Sequence, residues 1–377
     1  MEKRYKKVIR IIPALIIVFA AVGFAFAQDP VGTPPPLVVN DDEVLKIESR
    51  LVVVPVSVVD TNGDPVQGLR LEDFAVRERN RVQQITEVSA AEKVPLEIAI
   101  LFDVSASTDA MFRFEQETAA KFLRDVLRPI DRATIFTIGE RPVLVQERND
   151  AQVSFRTISE LYPTKQYTAF FDTVSAAALY LRMNAPAKSR KVILVISDGE
   201  DNSSEGIRMG SRRIGAELDR QLNSLTTEKI SVIRTEGRNK VRLAEQAKTV
   251  QRLQDADTVF YSINPAGSSY RLNRISVQGQ NNMERFATDT GGVAFLPKFL
   301  PIDLKSEYQS KANLEANKKT LEVIFTQLTN ELQAQYLVQY YSDGEYEPNE
   351  YIELNVNVNT PGESRIRARR GYFVKGQ

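Results

Sequence analysis

Between residues 95 and 264 short apolar runs alternate with helical patterns. PLEIAILFD (95–103), RATIFTIGE (132–140), KVILVISDGED (191–201) and ADTVFYSIN (256–264) have strand length and are apolar on both faces. Between them, Phe114, Phe122 and Val126 mark one helical face within 111–128, with Thr118 and Leu127 nearby. Phe171, Val174, Ala178 and Leu179 do the same within 171–183. Strands apolar on both sides and separated by helices predict a doubly wound, mostly parallel α/β sheet covered on both faces.

The flanks follow a different period. RLVVVPVSVVD from residue 50 is β-branched, and Asn62-Gly63 and Asp64-Pro65 supply turn chemistry after it. Asp60 to Asp64 is faintly like a calcium loop, but the Gly is misplaced and Leu71 stands where a bidentate Glu is needed, so a turn is expected. Short strands are expected at 74–78 and 82–88 around the turn Arg79-Asn80-Arg81. After Phe295 a helix is expected at 315–334, with Leu321, Ile324, Phe325, Leu328 and Leu332 inward. Strand texture returns at Tyr336–Tyr340. Ile352, Leu354, Val356 and Val358 then alternate with polar residues, the mark of a sheet with one buried face. Each flank holds about three strands, too few for a sandwich alone. Together they predict a sandwich of about six or seven strands with the α/β domain inserted between its halves. The terminal run Arg365, Arg367, Arg369, Arg370 reads as an exposed strand face. Residues 202–255, with eleven basic and seven acidic residues intermixed, read as amphipathic surface helices, with a binding insert as the alternative.

The first ten residues carry five basic side chains and are followed by IIPALIIVFAAVGFAFA. That pattern predicts a cleavable secretory signal, cut after Ala27; an uncleaved membrane anchor is the alternative. The expected divisions are a signal at 1–27, a Pro-rich linker at 28–48 and an N-terminal β segment at 49–94. The α/β domain takes 95–305, a connecting helix 306–335, and a C-terminal β segment at 336–377 pairs with 49–94. A secreted, periplasmic or cell-envelope protein with no membrane span after cleavage is expected.

The chain has 49 basic and 49 acidic residues, or 44 and 48 beyond residue 27, a poor match to nucleic acid or an anionic membrane. Cysteine, histidine and tryptophan are absent. That excludes disulfides, Ser-His-Asp triads and His- or Cys-ligated zinc or copper, and leaves oxygen-binding ions such as magnesium, calcium or manganese.

Asp103 follows the buried run LEIAILF and Asp198 follows KVILVIS, which places both at the carboxyl edge of a parallel sheet. No basic residue occurs between 96 and 112 or between 192 and 207, so two nearby carboxylates there call for a cation. Ser105 and Ser107 alternate so that both hydroxyls can face one point, and Thr168 precedes a helix. A helix cap at Ser107 or Thr108 is the competing reading of that loop.

Asp103-x-Ser105-x-Ser107, Thr168 and Ser197-Asp198-Gly199 resemble the metal-ion-dependent adhesion site (MIDAS) of von Willebrand factor type A (VWFA) domains, over 95–300. The resemblance implies that the two Ser and the Thr bind magnesium directly. It implies too that the two Asp act directly or through water, and that a partner's acid completes the octahedron. Gln166-Tyr167 stands where the family often has Gly-Gly, which bears on who binds the metal face. Glu200 and Asp201 read as solvated loop acids. The motif from Asp60 to Val76, D-x-x-G-x-P-V-x-G-L-x-x-x-D-F-x-V, and R-A-R-x-G-Y at 367–372 are similar to VWFA-related secreted proteins of acidobacteria. That likeness implies export and brings no activity.

The expected function is therefore an exported, metal-dependent protein-binding (adhesion) module that captures an Asp or Glu of a protein partner. It is not expected to be an enzyme: Ser105 stands where a D-x-D phosphatase needs its second Asp, and no P-loop is present. A structural cell-envelope component with a vestigial metal site is the alternative, and a magnesium-dependent hydrolase the more distant one. Oligomeric state is not legible.

Overall fold

The computed structural model describes residues 50–105, 109–164, 167–221, 225–264, 274–302 and 305–375. The chain divides after Lys46, and every described residue lies in the unit Ile47–Gln377. The expected signal, its cleavage site and the Pro-rich linker lie outside the described residues, as does Ser107.

In chain order the first strands are β1 (Arg50–Asp60), β2 (Phe74–Glu78), β3 (Arg81–Gln83) and β4 (Ile85–Ala90). The α/β part follows: β5 (Leu96–Asp103), α1 (Asp109–Val126), β6 (Arg132–Ile138), β7 (Val143–Asn149), α2 (Ala151–Ser159), α3 (Phe170–Asn184) and β8 (Arg190–Ile196). It continues with α4 (Glu205–Gln221), α5 (Thr227–Asp255), β9 (Thr258–Ile263), α6 (Arg274–Thr290) and β10 (Ala294–Phe295). Helix α7 (Glu307–Gln333) leads to β11 (Gln335–Ser342), β12 (Tyr351–Val358), β13 (Ser364–Ala368) and β14 (Gly371–Phe373).

Six strands form the central sheet in the order β10-β9-β8-β5-β6-β7, parallel except for the edge strand β7. Strands β5 and β8 are buried along nearly their whole length, as double-sided apolar runs require. One face packs on α1, α2 and α7, where Phe122 and Phe325 meet at a 4.8 Å ring separation. The other packs on α3, α5 and α6 around Phe170, Phe171, Phe260 and Phe286. The sequence pattern missed β7, α2 and α6. Strand β7 is an edge whose Val143, Leu144 and Val145 stay largely exposed, so it shows no inward face. Helix α2 is short and declared mainly by its cap, Asp150, which accepts from the Gln152 and Val153 amides.

Strands from both ends of the chain build two four-stranded sheets, β13-β1-β11-β4 and β14-β12-β2-β3. Their inner faces share one core containing Val54, Val56, Val76, Val338, Tyr340 and Ile352. The sandwich thus has eight strands among the described residues rather than six or seven. The expected strand at 82–88 is two: β3 pairs with β2, the chain switches sheets at Gln84, and β4 pairs with β11. Asp60 closes a turn by accepting from the Asn62 and Asp64 amides, so the loop there is the expected turn.

Helix α7 begins at Glu307, eight residues before the expected start at 315. Ser306 caps it, and buried Asn313 and Asn317 bond the Pro301 and Leu300 backbone, polar anchors that hydrophobic periodicity does not register. The terminal arginines are only partly an exposed face. Arg369 is 5% exposed and paired to Asp257 at 2.8 Å, and Arg367 pairs with buried Glu331, which also accepts from Ser57. These bonds tie β1 and β13 to α7 and to the start of β9. Gly291, at φ +85°, lies where a Cβ would be 2.7 Å from the Ala368 carbonyl carbon, so that close approach requires glycine.

Candidate metal centre

Sheet register brings the two acid-bearing strands together. Phe102 pairs with Ile196, so Asp103 lies one residue beyond, beside Ser197, with Asp198 next. Strand order reverses at this pair: β6 lies to one side of β5 and β8 to the other. Crevices at such switch points are where open α/β sheets bind ligands.

The side chains converge as follows. Asp103 Oδ1 accepts from the Ser105 amide at 2.9 Å and from Ser105 Oγ at 2.6 Å, while Oδ2 accepts from Ser197 Oγ at 2.6 Å. Thr168 Oγ1 donates to Ser105 Oγ at 3.2 Å. Thr168 itself is fixed by the β8–α4 loop: its amide donates to Asn202 Oδ1, and its carbonyl accepts from the Asn202 and Ser203 amides. Asp198 Oδ1 accepts from the Glu200 amide at 3.0 Å. Gly199 follows at φ +74°, where a Cβ would be 2.6 Å from the Gly279 carbonyl oxygen, so the Asp-Gly step is forced by close packing on α6.

Of the five expected ligands, Asp103, Ser105 and Thr168 form one bonded group, and Asp198 feels the Asp103 charge directly. Ser107 lies outside the described residues. Burial pushes Asp103 above the usual carboxylate range, partly offset by its Ser105 and Ser197 hydrogen bonds. Burial and then the Asp103 charge push Asp198 up to about 7. Two desolvated acids sharing a site with hydroxyls suit a hard cation, which would replace the missing positive charge. Among the described residues no group of three acids gathers, so oxygen count depends on the hydroxyls.

The sequence reading gave Ser197 no role of its own, missed Glu115, and took Asp201 and Glu200 for solvated acids. Ser197, just past the end of β8, supports Asp103. Glu115, 6% exposed on α1, is pushed up to about 8 by burial and then by the Asp103 and Asp198 charges. It lines a small apolar cavity with Ile196, Ile263, Phe299, Leu321 and Phe325. Its signal was present: Phe112, Glu115, Ala119 and Phe122 fall on one helical stripe, with an acid at a core position. Asp201 is not a solvated loop acid. It accepts from the Phe171 amide and from the Ser204 amide and hydroxyl, which anchors the start of α3, and burial pushes it up to about 6. Glu200 is likewise tied down, accepting from Ser276 Oγ at 2.7 Å.

These raised pKa values set a direction for stability without metal. Between about pH 4 and the folded values, about 7 for Asp198 and about 8 for Glu115, the folded chain holds protons that the unfolded chain has released, and the upward shift of Asp103 acts in the same direction. Their contribution is complete below the unfolded values and is lost as pH rises through the folded ones. Thermal unfolding in chelator should therefore show a falling midpoint from about pH 5 to pH 9. Glu115→Gln should flatten the upper part of that fall; an unchanged slope would remove Glu115 from the account.

Strand order, the switch-point crevice and the Asp-x-Ser plus Ser-Asp-Gly pair at its lip define a von Willebrand A-like α/β fold. No protein-family model and no curated protein matches the chain. Solved structures do match in part. The von Willebrand factor domain of a type V pili tip protein from Porphyromonas gingivalis is 13% identical over 62% of this chain and 96% of that one, at a TM-score of 0.35. An aerotolerance-related membrane protein from Bacteroides fragilis is 13% identical over 60% and 99%, at 0.34. Proximal thread matrix protein 1 from the mussel byssus, with a zinc-occupied MIDAS motif, is 13% identical over 66% and 47%, at 0.36. Likeness at that level concerns overall layout, and the fold assignment rests on topology and register. Among the described residues, no helix is long and apolar enough to cross a membrane.

Proposed function

We propose that this chain is an exported binding module that holds a divalent cation at Asp103, Ser105, Ser107, Thr168 and Asp198 and uses it to capture an Asp or Glu of a protein partner. The observation that supports this most is the bonded group of buried Asp103 and Thr168 with half-buried Ser105, with Asp198 beside it and, among the described residues, no basic side chain bonded to any of them. Magnesium fits such a donor set, with manganese or calcium as the other oxygen-binding candidates, because it accepts few protein oxygens and keeps positions for water or a partner's carboxylate. The Ser105 and Ser197 donors partly offset the burial of Asp103, and Asn202 fixes Thr168. Hydrolysis is not part of the reading, since Ser105 stands where a D-x-D phosphatase needs its second Asp and the sequence holds no P-loop.

The test is calorimetric titration with magnesium and manganese, followed by capture of a peptide bearing one Asp and of its Asn counterpart, in magnesium and in chelator. Saturable metal heat and Asp-selective, metal-dependent capture are expected. No metal heat and no thermal stabilisation by metal would instead favour a structural component with a vestigial site. Tyr167, 69% exposed beside Thr168, lies where a partner would arrive. Tyr167→Ala should change peptide affinity several-fold, on the order of a single aromatic contact, and leave magnesium affinity unchanged.

A further inference from the structure

The segment joining β8 to β9 contains two helices where a single crossover helix would suffice, and glycine contacts show where they go. A Cβ on Gly206 would meet Glu245, one on Gly210 would meet Val241, and one on Gly237 would meet Ile214. Helices α4 and α5 are thus antiparallel, with residue 206 level with residue 245. Helix α5 runs down to the amino edge of the sheet at Asp255, and its buried residues all lie from Gln246 onward. Helix α4 starts at the carboxyl edge, where Ser203 bonds Thr168, and runs the opposite way. It therefore rises away from the sheet, on the side of the metal cradle. Its 17 residues carry the hairpin about 25 Å beyond that edge. In this arm, α4 buries only Gly210 and Leu218, and α5 up to residue 244 buries nothing.

The arm is also where the charge is segregated. Residues 205–244 hold nine basic and five acidic residues, leaving forty basic and forty-four acidic elsewhere. Arg208, Arg212, Arg213, Arg234, Arg238 and Lys240 are exposed, and no ion pair engages any of them among the described residues. A groove of about 610 Å³ leads from Val104 and Thr164, next to the cradle, to Arg141 and Arg208 at the arm's base. Glu140, Asp172 and Glu205 also line it, so the positive charge for an acidic partner lies on the arm above the groove rather than in it.

We infer that the α4–α5 hairpin is a second contact arm for an acidic protein partner: its arginines engage carboxylates that flank the acid bound at the metal. This rests on the metal-capture reading and adds the partner's chemistry to it. A body docked at the cradle meets an arm rising from the same edge, and the arm's unpaired positive charge complements acidic groups around the metal-bound residue. Such rim charges act chiefly on encounter rate and salt dependence.

The experiment uses a fluorescein-labelled twelve-residue polyglutamate peptide and a control peptide with one Glu among Gly and Ser. Anisotropy is read across salt, in magnesium and in chelator, for the wild type, Asp103→Ala, and a variant combining R208Q, R212Q, R234Q and R238Q. The arm variant should keep wild-type helicity and magnesium affinity, bind polyglutamate at least about tenfold more weakly, and lose most of the salt dependence. Binding of the control peptide should be little changed. Asp103→Ala should lose the magnesium-dependent part and keep the salt-dependent part. Equal polyglutamate affinity and salt slope in the arm variant would overturn the arm's role. A wild type indifferent to magnesium that still shows the arm effect would sink the metal reading alone. Arm-dependent binding of phosphatidylglycerol vesicles without peptide binding would reassign the arm to a lipid surface. Self-association lost in the arm variant, again without peptide binding, would reassign it to a second copy of this chain.

Discussion

Asp103→Asn is expected to raise the thermal midpoint of the metal-free protein at pH 8 while abolishing stabilisation by magnesium. The substitution is close to isosteric. The amide oxygen can keep accepting from the Ser105 amide and hydroxyl, and the amide nitrogen can donate to Ser197 Oγ once that hydroxyl turns. What disappears is a negative charge that, after burial, is the next cause of the rise of Asp198 to about 7. Each pKa unit relieved corresponds to about 1.4 kcal/mol, so a metal-free gain on the order of 1–2 kcal/mol is expected at pH 8. On the proposed metal reading, magnesium affinity should fall by about 100-fold or more, since the change would strike a ligand rather than its support. Opposite signs in the two readouts mark a site kept at a cost to stability. Thermal unfolding in chelator and in magnesium, with calorimetry alongside, measures both. A variant that is less stable in chelator yet still gains from magnesium would make Asp103 a structural hydrogen-bond acceptor instead.

Much of the cradle was legible because its positions are set by strand ends. An apolar run that stops at an acid places that acid at the sheet's carboxyl edge, and this held for both Asp103 and Asp198. Of the helices against the sheet, α1 and α3 were legible from their inward faces and α7 from Leu321 onward, whereas α2 and α6 were not. What escaped was polar and tertiary. Asp201 lies in a run of loop polar residues, and only the approach of α3 turns it into an anchor. The α4–α5 hairpin reads as two amphipathic stripes. Up to about residue 245 those stripes face each other, and only from Gln246 onward does α5 face the sheet, a division that periodicity cannot show. Likewise 82–88 is one apolar-polar alternation, and the break at Gln84 is imposed by the two sheets it joins.

The largest loss of stability should come from the sandwich, at Glu78. Strand β2 alternates inward Phe74, Val76 and Glu78 with outward Ala75 and Arg77, so a period of two places a carboxylate inside an apolar core. It is fully buried, and four hydroxyls converge on it. Tyr340 and Tyr372 donate to Oε1 at 2.7 and 2.6 Å, and Ser342 and Tyr346 to Oε2 at 2.9 and 3.3 Å. Burial, and then the Glu78 hydrogen bond, push both Tyr340 and Tyr372 above the ordinary phenol range, which keeps them donors. One carboxylate thus joins β2 to β11 of the facing sheet and to β14 near the end of the chain. Glu78→Ala leaves those hydroxyls without their acceptor and opens a cavity, a combined loss of about 3–5 kcal/mol. Glu78→Gln keeps one acceptor oxygen and the volume, and should cost about 1–3 kcal/mol. The neighbouring outward change Arg77→Ala should stay within about 0.5 kcal/mol. Denaturant unfolding followed by tyrosine fluorescence reads all three, and magnesium titration of Glu78→Gln should return the wild-type affinity because the cradle is built on other strands. A cost below about 1 kcal/mol for Glu78→Ala would mean that the hydroxyls find other acceptors and that apolar packing alone holds the two sheets together.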